Sequence, residues 1–105
     1  MNTMQYTPET DTLACSFQGR LDSSACEDAT ERFRQAWDAA RAARTGKPGE
    51  PAIVFDLAEA DFLGSAFFRL CLLASRKGAS SFRIVRASPT FKKLFAVAGL
   101  DFLAE

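Results

Sequence analysis

Residues 51–74 read Pro51-Ala52-Ile53-Val54-Phe55-Asp56-Leu57-Ala58-Glu59-Ala60-Asp61-Phe62-Leu63-Gly64-Ser65-Ala66-Phe67-Phe68-Arg69-Leu70-Cys71-Leu72-Leu73-Ala74. The run 52–57 is continuously apolar up to Asp56 rather than alternating, which predicts a central strand covered on both faces or flanked by neighbours. From Ser65 the chain reads as a helix to residue 76, with Gly78 as its stop. Residues 58–65 are then the loop joining strand to helix. A strand passing into a helix in this way is half of a βαβ unit, and the rest of the chain supplies its partners.

Upstream, Leu13, Cys15 and Phe17 fall at period two, as a strand with one buried face requires, and Gly19 ends it. Met4 and Tyr6 precede a polar turn at residues 8–11 and suggest a short antiparallel edge strand. Ser24 with Glu27 three residues on forms a capping box and predicts a helix over 24–44. Its apolar stripe is Cys26, Ala29, Phe33, Ala36, Trp37 and Ala40, and Arg41 and Arg44 suit its negative end. Gly46, Pro48 and Gly49 make residues 45–51 a loop. Downstream, residues 82–86 alternate as a further strand. Ser88-Pro89 gives an N-cap with proline at the first helical position, and the last helix runs over 89–98 to Gly99.

The order β, β, α, β, α, β, α predicts a single α/β domain with a mixed, mostly parallel sheet of four or five strands and three helices mainly on one face. The loops after the strand ends, residues 19–24, 58–65 and 86–89, then share one rim, where α/β sheets bind their ligands. Ser24, Ser65 and Ser88 are all expected at helix starts on that rim, where the plain role of a serine is a cap.

Composition narrows the function. The chain has 105 residues, enough for one core. Thirteen basic residues balance thirteen acidic ones, so no net field favours nucleic acid. There is no histidine, which removes histidine-activated nucleophiles and histidine-bearing zinc sites. Cys15, Cys26 and Cys71 form no CxxC pair and read as reduced core residues. No apolar stretch is long enough for a signal peptide or a membrane span, so the chain reads as cytoplasmic. Asp56, Glu59 and Asp61 read as a polar rim rather than metal ligands, and no metal or cofactor is expected. Arg20 and Arg86 are candidate anion ligands, with solvated surface charge as the plain alternative.

The segment 54–66 is similar to the STAS domain of anti-sigma factor antagonists, with Ser65 on that family's phosphorylatable serine. Gly19-Arg20-Leu21-Asp22 resembles the family's Gly-x-Leu-Asp, and Ser88-Pro89 with Phe95, Gly99, Leu100 and Phe102 resembles its closing segment, so the likeness spans about residues 11–103. Two features depart from the pattern: Gly64 stands where an acidic residue is usual, and Phe67 where a second glycine is. The resemblance implies a non-enzymatic interaction module that binds a switch kinase or anti-sigma factor and is controlled by phosphorylation at Ser65. Its partner surface is expected at Gly64, Ala66, Phe67 and Phe68 beside the serine, with Asp61 before it. Arg20 and Asp22 of the first match and Ser88 of the last complete that surface.

The helix 66–74 has one polar residue in nine, so a surface beyond the sheet must cover it: neighbouring helices, a homodimer or a partner, with Phe67 or Phe68 facing outward. The same fold also allows a STAS subunit of a phospholipid-transport ABC ATPase system. A reading of a different class is a small anion- or ligand-binding domain built on the three helix N-termini.

Overall fold

Residues 2–44, 46–78 and 81–100 are described by a computed structural model of the chain. Strand β1 (Thr3–Thr7) turns through residues 8–11 into β2 (Thr12–Leu21), and helix α1 (Ser23–Ala43) carries the chain to β3 (Ala52–Leu63). Helix α2 (Ser65–Gly78), β4 (Phe82–Val85) and α3 (Pro89–Val97) follow. The four strands lie in the order β1-β2-β3-β4, with β1 antiparallel to β2 and the other pairs parallel. The expected single α/β domain is therefore present, with four strands.

One face of the sheet is covered. Leu13, Cys15 and Phe17 of β2, Ile53, Phe55 and Leu57 of β3, and Phe82 and Ile84 of β4 are buried in alternation. The intervening Ala14 and Arg83 are exposed, with Val54 and Val85 half-buried between them. Of the two readings of the 52–57 run the second holds: β3 is flanked by β2 and β4 and covered on one face, and Val54 interrupts the alternation only in sequence, because a valine suits a half-exposed strand position. Against the covered face α1 lays Cys26, Ala29, Phe33, Trp37 and Ala40, the stripe its spacing predicted. Phe55 sits at the centre of an aromatic cluster, with ring centroids 4.8 Å from Phe17, 5.7 Å from Phe33 and 5.0 Å from Phe82, all edge-on. Such edge-to-face pairs add to the area they bury.

Two strands are longer than the sequence predicts. Gly19 does not end β2; with φ at +74° it sits inside the strand, opposite Ala60. From Ser16 to Gln18 the partner strand advances from Asp56 to Glu59, and from Gly19 to Arg20 it advances from Ala60 to Phe62. Each step inserts one extra residue into β3, and a glycine absorbs the local distortion without a Cβ clash. Residues 58–63 are therefore strand, not loop. Beyond Val85, whose partner is Asp56, β3 pairs only with β2, so the sheet continues as a two-stranded ribbon.

The helix ends also correct one expectation. Asp22, not Ser24, caps α1: its Oδ1 accepts from the Ala25 amide at 3.0 Å and its carbonyl from the Cys26 amide at 2.9 Å. Because the strand runs on to Leu21, the chain leaves the sheet two residues before the predicted capping box, and a carboxylate caps as well as a hydroxyl. Ser88 does cap α3, accepting from the Phe91 amide at 3.1 Å, with Pro89 first in the helix. At its other end Gly99 takes φ +75°, and the Leu100 amide reaches the Phe95 carbonyl at 2.7 Å, closing the helix with Leu100 buried. Phe102, the last residue of the closing segment, lies outside the described residues.

Candidate functional site

The β2–β3 ribbon carries the start of α2. Where it ends, the Gly64 amide donates to the Leu21 carbonyl at 2.9 Å, joining the corner before α1 to the corner before α2. A Cβ at position 64 would stand 3.2 Å from that same carbonyl oxygen and 3.6 Å from Asp22 Cα. The glycine there has a packing reason, since any side chain would require these neighbours to give by a few tenths of an ångström.

Ser65 follows as the first residue of α2 and is exposed. It was expected to double as a cap, yet the Phe67 amide goes to the Gly64 carbonyl at 3.0 Å. The Ser65 hydroxyl has no hydrogen-bond partner among the described residues. Beside it, Phe62 lies at the ribbon's tip, 38% exposed, with the Arg20 guanidinium carbon 4.3 Å from its ring centroid. That stacking holds Arg20 on an aromatic face at the surface, a pairing favoured by the ring quadrupole. Asp61 is the extra residue of the second ribbon step and is exposed. Arg20, Asp61, Gly64, Ser65 and Ala66 thus gather around one corner.

The other residues expected there do not all belong to it. Asp22 is half-buried and committed to capping α1. Phe67 is fully buried, its ring 5.2 Å from Phe17 and 6.1 Å from Phe55. Phe68 is half-buried and stands edge-on to Phe95 of α3 at 5.0 Å. Neither ring faces outward, because α2 points Phe67, Leu70, Cys71 and Ala74 at the sheet while α1 and α3 flank its sides. Of its apolar residues only Leu72 remains substantially exposed. The expectation of an outward aromatic anchor is corrected: neighbouring helices supply most of the cover. Ser88 lies three residues past the end of β4, whose last residue pairs with Asp56, whereas β3 runs on seven residues beyond Asp56 to Leu63 before the chain reaches Ser65. The rim is stepped, and Ser88 is on the lower step.

Between α1 and α2 runs an open groove of about 430 Å³ that reaches Ala66. Its floor is Cys26, Ala66, Leu70 and Leu73, and Glu27, Glu31, Arg34 and Arg69 edge it. No local pattern in the chain points to this groove, since it depends on how two helices diverge. All three cysteines are free and buried, and burial raises each thiol, Cys15 to about 12. Buried thiols of this kind are unreactive.

On the lower step Arg86, in a left-handed conformation at φ +56°, is paired with Asp56 through Nε at 3.0 Å and through Nη2, and so is not waiting for an anion. Its guanidinium holds the Asp56 carboxyl below the ordinary carboxylate range. Among the described residues no cluster of three or more acidic or cysteine side chains could hold a metal ion. Among them, too, no helix is long and apolar enough to cross a membrane.

The opposite end of the sheet holds a group that sequence reasoning placed only as a helix-end charge. Arg44 is 8% exposed, and its guanidinium grips Asp11 with Nε–Oδ1 2.8 Å and Nη2–Oδ2 2.6 Å. Nη1 donates to the Gly49 carbonyl at 2.6 Å, and the Tyr6 hydroxyl donates to Asp11 at 2.7 Å. The Arg44 hydrogen bonds, followed by that of Tyr6, hold the Asp11 carboxyl far below its ordinary value.

No family model and no curated protein matches the chain. Solved structures do. An unphosphorylated form of the anti-sigma factor antagonist SpoIIAA superimposes with a TM-score of 0.73 at 20% identity, over 100% of this chain and 86% of that one. The phosphorylated form of the Bacillus cell fate determinant SpoIIAA gives 0.67 at 22% identity, over 100% and 89%. Over its whole length, then, the chain has the fold of the anti-sigma factor antagonist SpoIIAA, the STAS fold.

Proposed function

We propose that the protein is a non-catalytic regulatory module of the cytoplasm. On this reading its Ser65 corner binds an anti-sigma factor with serine-kinase activity, and phosphorylation of Ser65 ends the complex. The observation that carries the reading is the state of Ser65: an exposed hydroxyl with no partner among the described residues, at the corner where the ribbon passes into α2. A serine used as a helix cap would lose its bond on modification, whereas this one has none to lose. The structural neighbours, described in phosphorylated and unphosphorylated forms, support the same reading. Against a small-ligand domain stands the use of the helix starts: Asp22 and Ser88 already supply oxygens to two of the three.

In the modification, the bond from Ser65 Oγ to phosphorus forms as the terminal phosphoryl group leaves a nucleoside triphosphate held by the kinase. The diphosphate departs and the hydroxyl proton passes to the kinase's base. The product carries about −1.5 to −2 charges. A partner seated on a neutral hydroxyl, Phe62 and the apolar start of α2 would then meet an uncompensated dianion, a cost of about 3–5 kcal/mol when desolvated.

The test is capture from host cytosol on immobilised wild type, Ser65→Ala and Ser65→Asp, with the bound proteins identified by mass spectrometry. A kinase-type anti-sigma factor retained by the first two and lost by the third is expected. A transport ATPase bound equally by all three would replace this reading with the transport-subunit one.

A further inference from the structure

Arg69 lies four residues after Ser65, one turn along α2, a spacing that brings two side chains together on the same helix face. Both residues are exposed. Two other arginines near the sheet ends are ion-paired, Arg86 on Asp56 and Arg44 on Asp11, and a third, Arg20, is stacked over Phe62. Arg69 has no ion pair or hydrogen bond among the described residues. A free guanidinium one turn from a free hydroxyl has little to do while that hydroxyl is neutral.

We propose that Arg69 is the internal counter-ion of phosphorylated Ser65. The inference rests on the reading of Ser65 as a modified residue and adds how the modified state is held. A guanidinium presents a planar fork that takes two phosphate oxygens at once, which an ammonium group cannot do. The acidic groups near enough to compete are Glu27 and Glu31 across the groove, Asp61 on the ribbon and the committed Asp22, while Arg34 on α1 and Arg20 at the corner are the other cations, Arg20 being common to every protein compared below. Phosphorylation then changes two parts of one face together. It places charge at the corner and draws Arg69 away from the groove.

The test needs no kinase. Phosphoserine is placed at position 65 during translation, and its second ionisation is followed by phosphorus NMR in otherwise wild-type protein, in Arg69→Gln, in Arg69→Lys and in Arg76→Gln. Arg69 is exposed and glutamine is a good helix former, so each protein should give the same circular dichroism spectrum. The expected result is a midpoint about half a pH unit lower with Arg69 present than in Arg69→Gln. Arg69→Lys should fall between, Arg76→Gln should match wild type, and the difference should shrink at high salt. The backbone amides at the helix start are common to all four proteins and cancel. Superimposed curves for wild type and Arg69→Gln would overturn the pairing and leave the kinase reading untouched. A protein that no kinase modifies, yet whose installed phosphate titrates as predicted, would do the reverse.

Discussion

The two ends of the parallel strands are built on opposite plans. At the end where β2 and β3 begin, Arg44, Asp11, Tyr6 and the Gly49 carbonyl satisfy one another, and the arginine is nearly out of reach of water. At the end where they finish, the ribbon brings Phe62 and Ser65 to the surface with Arg69 exposed one turn along α2, and Ser65 and Arg69 have no hydrogen-bond or charge partner among the described residues. One end fastens the fold. The other leaves chemistry available, which is the division expected when a rigid scaffold carries a binding site.

Substitutions that cross the boundary between these plans should show it most strongly. Phe67 is two residues from Ser65 but belongs wholly to the core, so Phe67→Ala should cost about 3–5 kcal/mol in urea unfolding. A cost under about 1 kcal/mol would mean the free corner extends into α2. Arg44→Ala comes next, with a clear fall in Tm, because it leaves the Asp11 carboxylate facing carbonyl oxygens.

Acid should weaken the fastened end selectively. The folded state holds the Asp11 carboxyl far below its unfolded value, chiefly through Arg44. Its stabilisation is therefore complete above the unfolded value near pH 4 and fades as the pH falls toward the folded one. Asp11→Asn should be less stable than wild type at pH 7, and the gap should close on acidification. A gap independent of pH would show that the charge is not what holds this end.

At the free end the effects on folding should be small and those on binding large. Phe62→Ala removes a partly exposed ring and should lower stability by less than about 1 kcal/mol while weakening partner binding, read by calorimetry. Ser65→Ala should change stability by no more than about 0.5 kcal/mol, since no cap is lost. A loss near 1 kcal/mol would return the serine to a capping role.

Much of this contrast was legible in the sequence, and the missing parts share a cause. The helix stripe through Cys26, Phe33 and Trp37, the Ser88-Pro89 start and the Gly99 stop rest on local spacing and were readable. The placing of Ser65 at the start of α2 was readable too. Gly19 misled because a glycine that ends a strand and one that lies opposite a bulge look the same without knowledge of the partner strand's register. Asp22 and Ser24 were competing caps, decided only by how far β2 runs. Phe68 and Arg44 went astray for another reason. Their contacts, Phe95 and Asp11, lie 27 and 33 residues away, and no local pattern encodes such a pairing.

A Ser65 hydroxyl left free by the fold should be open to a kinase. The most direct measurement of this is the intact mass and phosphosite map of the protein after incubation with ATP and the kinase that it captures. The expected result is one added phosphate, on Ser65, absent from Ser65→Ala and accompanied by release of the complex. No phosphate on Ser65 from a kinase shown to bind this corner would contradict it.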